Sequence, residues 1–147
     1  MKIVIGCDHG GFEHKNAIVE HLKNKGHEVT DCGIYELKSI DYPIIAEKVA
    51  NEITSGNAER GILVCGTGIG MSLAANKIRG IRAAAVSEHF SAKYTRLHNN
   101  SNIICLGGRV IGIGTALELT DLFIETEFEG GRHQTRVDMI TEIENKH

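Results

Sequence analysis

The chain has 147 residues, of which 41% are apolar and 24% are charged, and this balance suits one packed domain over residues 1–147. Its formal charge of -3 excludes the strongly basic surface of a nucleic-acid or anionic-membrane binder. The apolar runs are too short to span a membrane. The N-terminus does not read as a signal peptide, so we expect a cytoplasmic protein.

Short β-branched segments alternate with amphipathic segments along the chain, a pattern typical of a parallel α/β sheet. We expect strands at 2–7, 27–32, 61–65, 82–86 and 102–106. Helices are expected at 11–25, 43–56, from the GTGIG turn to 78, and at 89–97, 115–125 and 132–147. Right-handed crossovers between these strands predict a three-layer fold with five parallel strands.

Polar and glycine-rich segments follow four of the predicted strands. Ligands of open α/β sheets bind outside the carboxyl ends of the strands, so we expect these segments to meet at one site. They are CDHG at 7–10, CGTGIG at 65–70, SEH at 87–89 and GGRV at 107–110.

Cys65 ends the third strand, and the turn GTGIG follows it directly. The glycines let backbone N–H groups approach an anion, and the helix that begins there adds partial positive charge. A thiolate at this position can take a proton from the carbon beside a carbonyl, while the N–H donors stabilise the enediolate. Returning the proton to the neighbouring carbon completes an aldose–ketose isomerisation that needs no metal and no cofactor.

The turn has three other possible interpretations. A dinucleotide site would have its G-x-G-x-x-G motif after the first strand, whereas Gly66, Gly68 and Gly70 follow the third. A cysteine phosphatase needs an arginine six residues after the cysteine, and position 71 is methionine. A purely structural role for the glycines stays open.

Arginines supply the candidate phosphate ligands. Arg132 and Arg136 are four residues apart and share one face of a predicted helix, either as phosphate ligands or as a solvated surface. Arg109 follows the fifth strand at the expected ligand edge, which favours a phosphate contact. The remaining arginines considered, Arg60, Arg79, Arg82 and Arg96, are expected on the surface.

A cyclic sugar phosphate must open before an enediol can form, and opening needs an acid and a base. His98, in an HNN turn before the fifth strand, and Asp8, after the first strand, are candidates for this pair. A structural role for His98 is the alternative.

Four motifs together resemble type B ribose-5-phosphate isomerase: GCDHGG, CGTGIGMS, the run from 98 to 112, and the final RHxxR. The resemblance covers essentially the whole chain. It implies a Rossmann-like fold and a homodimer or dimer of dimers whose active sites lie at subunit boundaries, with the C-terminal helix docking on a partner. It also implies conversion of ribose 5-phosphate to ribulose 5-phosphate, a reaction of the pentose phosphate pathway.

The resemblance also implies roles for individual residues. Cys65 is the base, and His98 is the acid of ring opening, helped by Asp8 and Thr67. The enediolate lies on the backbone of Gly66, Thr67, Gly68, Ile69 and Gly70. Further contacts come from Asp8, His9 and Asn99 to the sugar and from Arg109, Arg132 and Arg136 to the phosphate.

Other functions stay open at this point. Similar proteins isomerise six-carbon sugars, namely allose 6-phosphate or galactose 6-phosphate. A noncatalytic phosphosugar-binding module would use the same arginines and glycines. A redox sensor would pair Cys65 with Cys7 in space.

Overall fold

The computed structural model describes residues 1–147 as five strands and six α-helices. The strands are β1 (Lys2–Cys7), β2 (Glu28–Asp31), β3 (Arg60–Cys65), β4 (Ala83–Ala85) and β5 (Ile103–Gly107). The helices are α1 (Phe12–Asn24), α2 (Tyr42–Thr54), α3 (Ile69–Ala75), α4 (His89–Asn99), α5 (Ile113–Glu125) and α6 (Arg132–Lys146). A 3-10 turn, His9–Gly11, links β1 to α1.

The five strands form one parallel sheet in the order β2-β1-β3-β5-β4. Helices α1, α4 and α5 pack on one side of it and α2 and α3 on the other, while α6 packs against α4. The predicted three-layer α/β fold with five parallel strands is therefore confirmed. None of the helices has the length and apolarity that crossing a membrane requires.

Strand β1 lies between β2 and β3, so the chain adds its second strand on one side of β1 and its third strand on the other. This reversal of strand order opens a crevice beyond the carboxyl ends of β1 and β3, where open α/β sheets bind ligands. The inner strands are covered by helices on both faces, so β3 carries the fully buried run Ile62–Val64. The fold thus places the residues that follow β1 and β3 at the crevice.

The ends of two helices, α3 and α4, differ from the sequence-based expectation. Helix α3 stops at Ala75 instead of residue 78. Helix α4 continues to Asn99, so His98 lies in its last turn and not in a separate turn before β5. Asn100 ends α4 in the left-handed conformation, with φ of 48°, which asparagine tolerates better than most residues.

The expectation that Arg96 lies on the surface is wrong. Its side chain is 2% exposed, packed under the C-terminal end of α4. It donates to the backbone carbonyls of Ser101, just beyond the helix end, and of Thr126, 30 residues along the chain, and periodicity along one helix reveals neither contact.

The ends of β1, β3 and β5 contact each other backbone to backbone. The Asp8 amide donates to Val64 O at 3.2 Å, and the Gly108 amide donates to Cys65 O at 2.7 Å. A methyl group on Gly108 would overlap the carbonyl oxygen of Gly10, and one on Gly11 would lie 2.5 Å from Val64 O. Glycine at these positions is therefore required by close approach.

Gly108→Ala should lower the free energy of unfolding by about 1–3 kcal/mol, because its Cβ must displace backbone of the neighbouring loop. Gly114→Ala is the matched control. Its Cβ would meet no atom within 4 Å, and an alanine in a helix restricts the unfolded chain. Urea denaturation of both variants measures the difference, and equal stabilities would contradict the close contact.

Candidate active site

Asp8 is the first polar side chain after β1. It is 6% exposed, and its Oδ1 accepts a hydrogen bond of 2.8 Å from the Gly10 amide. That bond caps the 3-10 turn and fixes the carboxylate at the edge of the crevice. His9, the next residue, is exposed.

Cys65 ends β3 with its side chain 5% exposed. The Gly68 amide donates a hydrogen bond to its Sγ at 3.1 Å, so a backbone donor faces the sulfur. Gly68 has φ of +80°, and a Cβ there would lie 2.9 Å from Cys105 O, so only glycine fits without strain. The sequence GTGIG therefore produces a turn that wraps around the thiol.

The same turn presents backbone donors that the chain itself does not use. The amides of Gly66, Thr67 and Gly70 donate to no acceptor within the protein. The Ile69 amide donates to Thr67 Oγ1 at 3.2 Å. Because α3 has only seven residues, these individual N–H groups, more than the dipole of a long helix, stabilise an anion beside the thiol.

Arg109 lies beside this turn. Its amide donates to Gly66 O at 3.0 Å, and its guanidinium lies close to Gly66. With His9 and Gly108, it lines a cavity of about 220 Å³ at the carboxyl edge of the sheet. An exposed guanidinium and an imidazole at one cavity suit a phosphate group.

The other three cysteines differ from Cys65 in their surroundings. Burial raises the pKa of Cys7 to about 11, and it also raises the pKa values of Cys32 and of the fully buried Cys105. All four are free thiols. At neutral pH Cys7, Cys32 and Cys105 are therefore protonated, and none of them lies on the GTGIG turn.

The remaining candidates form a second group around the end of α4 and the start of α6. His98 is half-buried and lies between two aromatic rings, with centroid distances of 4.8 Å to Tyr94 and 4.0 Å to His133. Asn99 follows it, and Arg132 and Arg136 are exposed on the first turns of α6. Burial lowers the pKa of His133, and the nearby His98 adds to this effect.

The two groups lie at opposite edges of the sheet within one chain. Helix α4 carries the chain from the carboxyl end of β4 back to the amino end of β5, so His98 lies near the amino edge. Cys65 pairs with Gly107 at the other end of β5. The five residues of β5 span about 16 Å at 3.3 Å per residue. One chain therefore does not bring His98 to the sulfur of Cys65.

His98, Glu129 and His133 offer donor atoms that all lie within 4.8 Å of one another, which is within reach of a metal ion. The two imidazoles, however, are stacked with an interplanar angle of 10°. Lone pairs in parallel ring planes run side by side and do not converge on one tetrahedral ion. The stack fits mutual packing of the rings better than chelation.

Sequence reasoning missed three residues at these sites. Tyr42 lies against the start of α3, where a Cβ on Gly70 would come within 2.7 Å of its ring. Glu129 lies 3.9 Å from Nε2 of His98, and His133 covers one face of that ring. His133 is part of the RHxxR motif, so its position was a usable signal, whereas nothing in the local sequence marks Tyr42 or Glu129.

Known proteins resemble this chain along its whole length. The Ribose/Galactose Isomerase family model matches residues 3–140. Ribose-5-P isomerase B of Listeria innocua is 47% identical over 146 residues, 99% of each chain. The galactose-6-phosphate isomerase subunit LacB of Clostridium acetobutylicum is 43% identical over 129 residues, 88% of this chain and 75% of that one.

Solved structures agree with these relatives. Ribose-5-phosphate isomerase B of Clostridium thermocellum superposes with a TM-score of 0.98 at 50% identity, covering 99% of both chains. The sequence match and the shared architecture together show that this chain belongs to the Ribose/Galactose Isomerase family.

Proposed function

We propose that the protein interconverts ribose 5-phosphate and ribulose 5-phosphate through a cis-enediolate, with Cys65 as the base. The observation that carries this proposal is the thiol of Cys65 enclosed by a turn whose amides at Gly66, Thr67 and Gly70 have no acceptor in the chain. The 47% identity to a protein named ribose-5-P isomerase B supports the substrate.

The reaction requires one proton to move between two carbons. The Cys65 thiolate takes the proton from C2 of the open-chain aldose. The electron pair of that C–H bond forms the C1=C2 double bond, and the π pair of the aldehyde C1=O bond moves to O1. The backbone amides from Gly66 to Gly70 stabilise the enediolate as this charge develops. The thiol then returns the proton to C1, while the O2 proton moves to O1 and leaves a ketone at C2.

Ring opening is assigned to His98, with Asp8 and Thr67 as helpers. Because His98 and Cys65 lie at opposite edges of one chain, we propose that His98 of the partner subunit completes the site in a homodimer or dimer of dimers. Asn99, Arg132 and Arg136 lie at the same edge as His98 and would enter the site with it. The phosphate then meets these arginines together with Arg109, while Asp8, His9 and Asn99 contact the sugar.

Exposed apolar side chains support association of this single domain. On α6, which we propose docks on the partner, Met139, Ile140 and Ile143 are 56%, 49% and 58% exposed. Leu73 on α3 and Phe90 on α4 are 62% and 68% exposed. Large apolar residues gathered on helices in this way are typical of surfaces that a second subunit covers.

A six-carbon substrate is the second candidate, favoured by the 43% identity to a galactose-6-phosphate isomerase subunit. The chemistry at C1 and C2 is the same for both sugars. The difference lies in the distance from these carbons to the phosphate. Arg109, which lies in the same chain as Cys65, and the partner subunit's Arg132 and Arg136 would together set that distance.

We expect kcat/KM for ribose 5-phosphate to exceed that for allose 6-phosphate and galactose 6-phosphate by about tenfold or more, because one extra carbon misplaces either the phosphate or C2. A coupled assay with each aldose phosphate measures the ratio. A higher value for a six-carbon sugar would transfer the assignment to the second candidate.

Cys65→Ala should lower kcat by about 10²–10⁴-fold and leave KM nearly unchanged, because it removes the base and not the groups that bind substrate. Cys32→Ala, at a half-buried thiol away from the turn, is the control and should keep full activity. Wild-type kcat in Cys65→Ala would rule out this base. No turnover of any aldose phosphate by the wild-type protein would favour the noncatalytic module.

Heterodimers of Cys65→Ala and His98→Asn chains test whether the sites are shared. Co-expression with two affinity tags isolates them, and in each dimer one of two sites then contains both native residues. We expect about half of the wild-type kcat per dimer, far above either mutant homodimer. Activity no higher than that of the homodimers would show that Cys65 and His98 act within one chain.

A further inference from the structure

We propose that Arg96 is a positioning residue of the isomerase, which fixes His98 and Asn99 at the end of α4 for use in the partner's active site. This inference rests on the proposed function and on its shared sites. It concerns a residue that contacts no substrate and that acts through the backbone next to His98.

Arg96 binds the segment that directly follows His98 and Asn99. Its Nη1 donates to Ser101 O at 2.7 Å and to Asn100 Oδ1 at 2.9 Å. The Asn100 bond fixes the residue whose left-handed conformation ends the helix. Ser101 is in turn bound through its hydroxyl to Thr95, at 2.6 Å. The residues before the His98–Asn99 pair, Thr95 and Arg96, are therefore hydrogen-bonded to the residues that follow the pair.

Arg96 also binds the segment that leads to α6. Its Nε donates to Thr126 O at 3.2 Å, and its guanidinium lies 5.9 Å from the ring centre of Phe123. Three residues after Thr126, the Glu129 amide donates to Leu97 O at 3.1 Å. One side chain thus joins the end of α4 to the segment that carries Glu129 and positions the start of α6, where His133 stacks on His98.

Burying the Arg96 cation between these segments costs desolvation free energy. Arg96 has no carboxylate within ion-pair distance, and its acceptors are two backbone carbonyls and one amide oxygen. An apolar side chain would fill such a space at less cost in desolvation. What arginine adds is a planar group with five donors that binds acceptors in divergent directions at fixed angles. The arrangement therefore favours a role in orientation over a role in stability alone.

Arg82 contacts the same helix end from the other side. Its Nε donates to Asn99 O at 3.2 Å and to Asn100 O at 3.1 Å. The helix dipole favours a cation at the carboxyl end of a helix, and Arg82 binds the free carbonyl groups there. Arg96, unlike Arg82, also binds Thr126 and so connects the helix end to the segment before α6.

The test uses Arg96→Lys, which keeps the charge but not the planar donor set, and Asn100→Gly, which removes one acceptor and still permits the left-handed backbone. Each homodimer should retain cooperative unfolding and lose about tenfold or more in kcat/KM, mainly through kcat. Arg79→Lys is the control, since Arg79 is exposed and donates to Asn145. It should keep wild-type activity.

Heterodimers then identify which half of the site is damaged. An Arg96→Lys chain paired with a Cys65→Ala chain should recover about half of the wild-type kcat, because one site receives an intact Cys65 and a correctly held His98. Paired with a His98→Asn chain, it should show no recovery of kcat. One site then lacks His98, and the other receives a His98 that the Arg96→Lys chain does not hold correctly. Asn100→Gly should give the same pattern.

A defect that is only structural predicts a different result. It would lower the melting temperature of Arg96→Lys while leaving kcat of the folded protein unchanged, or rescue equally with both partner chains, and either outcome would overturn the inference. If Cys65→Ala and His98→Asn fail to complement each other, the shared site itself is wrong and the inference falls with it. If they do complement each other, but Arg96→Lys is not rescued by Cys65→Ala alone, the shared site stands and only the inference about Arg96 fails.

Discussion

The close approach of three backbone segments at the carboxyl edge of the sheet builds the candidate active site. The loops after β1, β3 and β5 approach so tightly that Gly10, Gly11 and Gly108 leave no room for a Cβ. The Gly108 amide bonds to Cys65 O, and the Arg109 amide bonds to Gly66 O. The thiol, the carboxylate of Asp8 and the guanidinium of Arg109 are thereby brought to one crevice by the strands themselves.

The direction of α4 imposes the second constraint. A helix between parallel strands must run back along the sheet, so a residue in its last turn lies at the amino edge. His98 is such a residue and Cys65 is at the carboxyl edge, separated by roughly the length of β5, about 16 Å. In the proposed mechanism, proton abstraction and ring opening therefore lie on two surfaces, which two chains can bring together. Association of two chains is then part of the proposed chemistry.

Sequence reasoning predicted the elements that depend on local pattern. The strands and the glycine turn after Cys65 are recognisable from residues that are close together in the sequence, and so is the motif RHxxR. It did not predict the burial of Arg96, because the carbonyls that Arg96 contacts belong to Thr126 and Ser101. It also left open the strand order and hence the edge at which His98 lies, since these depend on which strands pair. It did not predict the early end of α3 at Ala75 either; the next residue, Asn76, bonds through its side chain to the backbone of Ala83 in β4.

The sharpest test is a crystal structure with the phosphohydroxamate of a four-carbon sugar acid, a planar mimic of the pentose enediolate in which the hydroxamate nitrogen replaces C1. We expect the Cys65 sulfur within about 4 Å of the atoms that replace C1 and C2, and the hydroxamate oxygens within about 3 Å of amide nitrogens between residues 66 and 70. An analogue bound with its hydroxamate away from the sulfur, or turned from those amides, would contradict it.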